Sequence, residues 1–182
     1  MINAPAHIDE KHWEELIIGS GIDPELAALN VVSLSRNSAY DYLLYSDKLD
    51  RLNSGRLSQY WMTRYGHLDF GGWWCNGVDL TNGSDSLWGC LKPNKPRSDN
   101  SSNKVKDIKY EHPPKINTEC WFLRVSARIW ELISTKAGVT LPENYQDVVE
   151  KPLIFWEWVI ANNLPILLTE GVKKCLAGLS SG

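Results

Sequence analysis

Glu170 is the residue whose sequence context best suits chemistry, in the segment LPILLTEGVKKCLAGLSSG of residues 164–182. Pro165 opens a short apolar run at residues 166–168, and runs of this kind predict a strand buried on both faces. Helical spacing follows, so Glu170 would stand at the carboxyl end of a strand, where open α/β sheets bind ligands. A carboxylate there can act as a general acid or base, or bind a phosphate-bound Mg²⁺. Alternatively, Glu170 only complements the dipole of the following helix.

Lys173 and Lys174 fall in the first turn of that predicted helix. The helix macrodipole disfavours cations at this end, so their placement predicts an anion nearby. A catalytic site would also need a second carboxylate close to Glu170. The candidates for it are Glu119, Asp107 and Glu157.

A second group of candidate residues is basic. Residues 92–115 carry seven bases against three acids, a net charge of +4, in a chain of net charge −3. A lysine next to an aromatic residue, such as Lys109 next to Tyr110, suits the phosphates and bases of a single strand. The candidate nucleic-acid-binding residues are Lys92, Arg97, Lys106, Lys109, Tyr110, Arg124, Arg128, Lys173 and Lys174.

A simpler interpretation of these basic residues stays open. Lys95 and Lys104 belong to the same stretch and suit a solvated loop. Arg124 and Arg128 lie four residues apart and can share a face, or they can each pair with a carboxylate. The carboxylates considered for this pairing are Glu119 and Glu131.

Cysteine and histidine chemistry is not predicted, and no metal ligand is assigned. Cys75, Cys90, His67 and His112 have long, irregular spacings, unlike the close ligand pairs of structural zinc sites. Nothing marks a cysteine as an activated nucleophile. The sequence has no signal peptide and no apolar run near the roughly 20 residues that span a bilayer. We therefore expect a reduced, cytoplasmic protein that does not contact a membrane.

The composition is compatible with a buried core, since the chain has 182 residues of which 43% are hydrophobic. Its charge is unevenly distributed. Residues 1–50 carry nine acids against three bases, a net charge of −6. This acidity excludes a uniformly basic nucleic-acid binder. The nine tryptophans are expected mainly in the core, with base stacking as a second role.

The elements that position the candidate residues follow from caps, breakers and hydrophobic spacing. Helices are predicted from near Asp9, from Asp23, over residues 38–45, 57–65 and 126–136, and from Pro152. Strands are predicted at residues 73–75, 87–91, 105–111 and 120–125. Asn76 and Gly77 predict a turn, and residues 93–103 a hydrophilic loop.

Residues 167–174, LLTEGVKK, resemble the opening motif of Toprim-like domains. More narrowly, they resemble the Toprim-like domain of unknown function found in cyanobacterial plasmid replication proteins. Further segments resemble the N-terminal half of those proteins, so the resemblance extends over nearly the whole chain. These segments are residues 20–25, 71–75, 87–90, 108–114, 124–125 and 128–130.

A looser similarity is to the catalytic core of bacterial primases. There a basic β-rich subdomain, with a Lys-Tyr-x-Asn-x-Pro-like run, precedes the Toprim strand and its glutamate. Residues 109–114, KYEHPP, stand in the corresponding order, and Glu170 would match the glutamate. Glu111 and His112 replace the expected Leu-Asn pair, and the Asp-x-Asp metal motif is absent from this chain. The resemblance therefore implies Mg²⁺ only for a completed Toprim domain, and no cofactor in this chain.

Residues and resemblance together predict an α+β fold. It comprises a helical N-terminal region at residues 1–68 and a mainly antiparallel, basic β subdomain with its following helix at residues 69–137. A connecting helix and the first strand-helix unit of an incomplete Toprim-like α/β domain follow at residues 138–182.

The expected function is binding of single-stranded or primed DNA within a plasmid replication or primase-type protein, without catalysis by this chain alone. One alternative is a protein-interaction module with an acidic contact face, whose partner is another replication or defence component or a missing C-terminal portion. A second is a Mg²⁺-dependent Toprim-type nucleotidyl-transfer enzyme centred on Glu170.

Overall fold

The computed structural model describes residues 3–99 and 105–182. Within them the chain has the predicted α+β fold. The α-helices are α1 (Glu10–Ser20), α2 (Pro24–Asn30), α3 (Arg36–Leu43), α4 (Gln59–Arg64), α5 (Ala127–Ala137), α6 (Leu153–Ala161) and α7 (Val172–Ser180). The strands are β1 (Val31–Leu34), β2 (Gly72–Val78), β3 (Asp85–Pro93), β4 (Arg97–Asp99) and β5 (Lys106–Ile108). Short 3₁₀ helices lie at Gly66–Phe70 and Tyr145–Val148.

The strands form two small sheets. One has three strands in the order β1-β2-β3, and the other pairs β4 with β5. The β4–β5 pair is antiparallel, and Ser98 lies opposite Asp107 in its register. Part of the predicted loop at residues 93–103 is thus strand β4, while Lys104 lies outside the described residues.

The chain divides into two compact units, each built from separate segments of the sequence. Unit 1 comprises Met1–Val31, Asn76–Ser86 and Trp121–Gly182. Unit 2 comprises Val32–Cys75 and Leu87–Cys120.

Local signals explain the helix boundaries. Asp23 accepts hydrogen bonds from the backbone of Glu25 and Leu26, and Pro24 occupies the first turn of α2, as predicted. The Ser126 hydroxyl accepts from the first turn of α5. Gly21 and Gly138 end α1 and α5 in the left-handed conformation that glycine adopts without strain.

Two predictions about β structure are wrong. Asn76 and Gly77 lie inside β2, and the chain turns later, between β2 and β3. A Cβ on Gly77 would lie 2.4 Å from the carbonyl oxygen of Phe122, so this glycine permits a close backbone approach inside a strand. The predicted strand at residues 120–125 forms only one bridge, between Phe122 and Val78.

The predicted strand at residues 166–168 is also not formed. This segment has no regular secondary structure. The side chains of Ile166, Leu167 and Leu168 are 54%, 78% and 80% exposed. The helix predicted after Glu170 does form, as α7.

Each unit has its own buried side chains. In unit 1, Trp130 is fully buried and packs edge-on against Phe155 and Trp158. In unit 2, the core cluster includes Leu43, Leu68 and other buried hydrophobic residues. The expectation that most tryptophans are core residues is confirmed, and the buried ones are Trp13, Trp61, Trp73, Trp74, Trp88, Trp130 and Trp158. In the described ranges, no helix has the length and apolarity to cross a membrane.

Candidate nucleic-acid interface

Glu170 lies in an exposed segment of unit 1, directly before α7. Its carboxylate accepts a hydrogen bond from Nζ of Lys174, one helical turn further on. This bond and the lysine charge lower the pKa of Glu170. The geometry at Glu170 is therefore that of a solvated ion pair at a helix N-terminus.

The anions predicted near Lys173 and Lys174 are carboxylates of the chain itself. Lys173 pairs with Glu15 of α1, and Lys174 with Glu170. These carboxylates offset the unfavourable position of both lysines at the start of α7. The electrostatic conflict seen in the sequence is thus relieved without an external ligand.

Arg124 and Arg128 are also paired within unit 1, but not with the carboxylates considered from sequence. Arg124 binds Asp85, which begins β3. Arg128 binds the N-cap residue Asp23 and lies 3.4 Å from Glu25. The hydrogen bond to Asp23, followed by the negative charges of Asp23 and Glu25, raises the pKa of Arg128.

Arg97, the fifth paired candidate, belongs to a buried cluster in unit 2. Its Nε and Nη2 donate to the two carboxylate oxygens of Glu111 at 2.5 and 3.1 Å. Glu111 is only 4% exposed. Nε2 of His67 lies 3.4 Å from a carboxylate oxygen of Glu111, while neither ring nitrogen meets the criteria of a hydrogen bond in the described part of the chain. The guanidinium of Arg97 also lies 5.6 Å from the ring centre of Tyr65.

The pKa of Glu111 reflects two opposed effects. Burial acts to raise it, but the contacts with His67 and Arg97 outweigh burial and leave it below its usual range. The carboxylate is therefore charged at neutral pH. The carboxylate holds Arg97 in place through two hydrogen bonds, so the Arg97 guanidinium already has an anionic partner within the chain.

The remaining candidates lie at the surface of unit 2. Lys106 is exposed in β5, and Lys109 and Tyr110 are exposed just after it. Lys92 is half-buried in β3. Lys95, which the sequence favoured as a loop residue, places its Nζ 4.6 Å from the ring centre of Phe70.

His112 is not among the binding residues predicted from the sequence. Its ring is exposed and stacks on Trp88 with a centroid distance of 4.8 Å and an angle of 6°. Tyr110, two residues earlier, packs edge-on against Trp73. The alternation of an aromatic, a charged and an aromatic residue at positions 110–112 is the sequence signal that could have identified this edge.

Charge separates between the two units. The sequence segments of unit 2 hold twelve bases and eight acids, a net charge of +4. Those of unit 1 hold seven bases and fourteen acids, a net charge of −7. The net positive charge of the chain therefore belongs to unit 2.

Two further observations concern groups of possible metal ligands and the thiol of Cys90. Within residues 3–99 and 105–182, no three His, Cys, Asp or Glu side chains form a group able to hold a metal ion. Burial, assisted by the charge of Glu111, raises the pKa of Cys90 to about 12. That thiol is protonated at neutral pH and is not a nucleophile.

Comparison with known proteins shows what the chain is similar to. Residues 155–182 match the family described as Domain of unknown function (DUF3854). Over 182 residues, the chain is 47% identical to an uncharacterized protein of Picosynechococcus sp. (strain ATCC 27264 / PCC 7002 / PR-6). The match covers 99% of this chain but only 17% of that protein. No solved structure matches the chain.

These matches support the coarser part of the expected relationship. They include a domain family of unknown function and a protein from a cyanobacterium. Neither description names a Toprim or primase relationship, so that finer interpretation belongs to the proposal below.

Proposed function

We propose that this chain binds single-stranded or primed nucleic acid as part of a longer replication protein of the plasmid or primase type. Unit 2 carries the contact surface. The observation that supports this most directly is the group of exposed residues Lys106, Lys109 and Tyr110, in the unit with a net charge of +4. Lysines supply the salt-dependent attraction to phosphate, and an adjacent aromatic ring offers a surface to a base.

The ion pairs reduce the number of basic residues that we expect to contribute to nucleic-acid binding. Arg97, Arg124, Arg128, Lys173 and Lys174 each hold a carboxylate of this chain. A phosphate would have to displace that carboxylate, so each of the five gains less from nucleic acid than an unpaired cation does. We therefore assign the main phosphate contacts to Lys106 and Lys109.

We also propose that residues 164–180 form the first part of a Toprim-like domain. Residues 166–168 form no strand here, but they are apolar, exposed and followed by α7. This supports the proposal, because an apolar segment that becomes a strand only beside neighbouring strands is uncovered without them. The chain spans only 17% of the cyanobacterial relative, which leaves ample polypeptide for the rest of such a domain in a longer protein. Mg²⁺ binding and catalysis, with Glu170 as one carboxylate, would then belong to the completed domain.

A salt titration tests the nucleic-acid proposal. Binding of a fluorescent single-stranded oligodeoxythymidylate is measured by anisotropy from about 50 to 200 mM salt, a range over which phosphate contacts weaken strongly. The test variant is Lys106→Glu with Lys109→Glu. Loss of two single-strand phosphate contacts should flatten the slope of log K against log salt by about 1.4.

The matched control reverses two lysines of unit 1 that are not candidate binding residues, Lys11→Glu with Lys151→Glu, and so changes the net charge equally. It should leave the slope close to that of the wild type. Equal effects of the two double variants, or wild-type binding without a salt dependence, would contradict the proposal.

One observation favours the alternative class, a protein-interaction module. The three exposed side chains at residues 166–168 form an apolar surface of the kind that docks a partner. The same titration separates the two classes, because only a phosphate-binding chain has a steep salt slope with the oligonucleotide.

A further inference from the structure

The segment that follows β5 holds two exposed rings on one side. Glu111 exchanges backbone hydrogen bonds with Leu91 of β3, each 2.8 Å long, and turns its own side chain into the buried cluster. Side chains alternate along an extended segment, so Tyr110 and His112 both turn away from Glu111. The backbone bonds and the buried side chain of Glu111 thus hold residues 110–112 in place.

Each of the two rings rests on a buried tryptophan. The Tyr110 ring is 6.1 Å from Trp73 at an angle of 67°, and the His112 ring lies nearly parallel to Trp88. Nδ1 of His112 lies 2.9 Å from the carbonyl oxygen of Gly89, and since a carbonyl only accepts, Nδ1 carries the proton and donates it. These contacts fix the rings before any ligand arrives, which lowers the entropy lost on binding.

The spacing of the rings favours unpaired bases. Residues two apart on an extended strand are separated by about 6.6 Å. This is about twice the 3.4 Å advance per nucleotide along one strand of a duplex. Two neighbouring bases that each stack on one ring must therefore be unstacked from each other, and a single strand permits this at much lower cost than a duplex does.

We propose that Tyr110 and His112 form a stacking platform for two adjacent unpaired bases of single-stranded nucleic acid. Lys106 and Lys109, on the same stretch of chain, contact phosphates of the same single strand. The net charge of +4 in unit 2 complements this ligand. The platform rests on the proposed function and adds to it the residues that recognise bases as opposed to phosphates.

Two double variants and one single control variant test the platform, and anisotropy measures their binding to oligodeoxythymidylate. Tyr110→Ala with His112→Ala should weaken binding roughly 25-fold or more, because each lost stacking contact costs at least about fivefold. Its salt slope should stay that of the wild type, since no charge that contacts phosphate is removed. Tyr110→Phe with His112→Phe keeps two stacking rings and should retain affinity within about threefold.

Tyr42→Ala is the matched control. Tyr42 is also an exposed ring packed edge-on against a buried tryptophan of β2, namely Trp74. Trp73 and Trp74 are successive residues of one strand, so Tyr42 and Tyr110 contact opposite faces of it. Tyr42→Ala should leave oligonucleotide affinity unchanged.

A second probe removes the bases. An oligonucleotide of the same length made of abasic sites should bind wild type about as weakly as oligodeoxythymidylate binds the double alanine variant. If the wild type binds both oligonucleotides equally and retains its salt slope, the platform is wrong while the phosphate contacts stand. If the wild type binds neither, the platform and the proposed function both fail. Thermal melting of every variant establishes that a loss of affinity is not a loss of folding, and the phenylalanine pair supplies the readout if the alanine pair does not fold.

Discussion

Removing the carboxylate of Glu111 is the sharpest test of the structure of unit 2. Glu111→Ala leaves the Arg97 guanidinium without its partner in a site where its side chain is only 19% exposed. Loss of one partner from a buried ion pair typically costs 3–5 kcal/mol. The residual exposure of Arg97 allows some rehydration, so we expect a loss of about 3 kcal/mol in the free energy of unfolding.

Urea denaturation followed by tryptophan fluorescence measures this loss. The matched control is Arg36→Ala in the same unit, because Arg36 is exposed and donates to Asp69 at 3.2 Å at the surface. An exposed pair contributes at most about 1 kcal/mol, so the control should change the free energy of unfolding by no more than that. Equal losses in the two variants would refute the assignment of Glu111 as a buried anchor.

Two further predictions concern stability. The pKa of Glu111 is lower in the folded protein than its usual value. The contribution of Glu111 to the free energy of unfolding is therefore complete above the unfolded pKa of about 4.3. This contribution is lost as the pH falls through the folded pKa. Acid unfolding should therefore be less steep in Glu111→Gln than in the wild type, and identical pH profiles in urea melts would contradict the ion pair. Gly89→Ala would place a Cβ 2.4 Å from the Trp74 ring and 2.6 Å from the carbonyl oxygen of Cys75. Such overpacking should cost about 1–3 kcal/mol in the same melts, whereas Gly66→Ala, with open space at its Cβ position, should not share this steric cost.

Features specified by neighbouring residues could be predicted from sequence. The start of α2 follows from Asp23 and Pro24, and the ends of α1 and α5 follow from Gly21 and Gly138. In each case the cap residue either accepts hydrogen bonds from the free backbone N–H groups of the first turn or ends the helix after its last turn. The signal and its effect therefore lie close together in the sequence. The α+β class follows from such local elements taken together.

Features specified by residues that are distant in sequence could not be predicted from the sequence. Lys173 and Glu15 are far apart in sequence, as are Arg128 and Asp23, and nothing in either sequence neighbourhood identifies the partner. Asn76 and Gly77 predict a turn, but Gly77 lies in a strand. The sequence does not show the reason for this glycine, because its close approach to Phe122 is a tertiary contact. The same limit applies to the candidate site, where an excess of positive charge is visible in the sequence but its neutralisation by carboxylates is not.

The buried anchor illustrates how a polar residue can be structural and still matter to function. Glu111 touches no proposed ligand, yet its backbone bonds to Leu91 and its bonds to Arg97 hold the chain between Tyr110 and His112. A sequence reader sees only a charged residue between two aromatic ones. The buried position of Glu111 assigns it to positioning, and leaves the proposed base stacking to its two neighbours.

The two surfaces proposed for this chain bind through different forces, so an experiment can distinguish binding at one from binding at the other. The lysines of unit 2 act through phosphate charge, so added salt weakens their contribution. The exposed side chains at residues 166–168 in unit 1 act through apolar burial, worth about 1.5–3 kcal/mol for each one fully covered, and salt does not screen that. A partner bound through residues 166–168 should therefore remain bound at a salt concentration that releases a single strand from Lys106 and Lys109. Simultaneous release of both ligands by salt would place them on one electrostatic surface and contradict this separation.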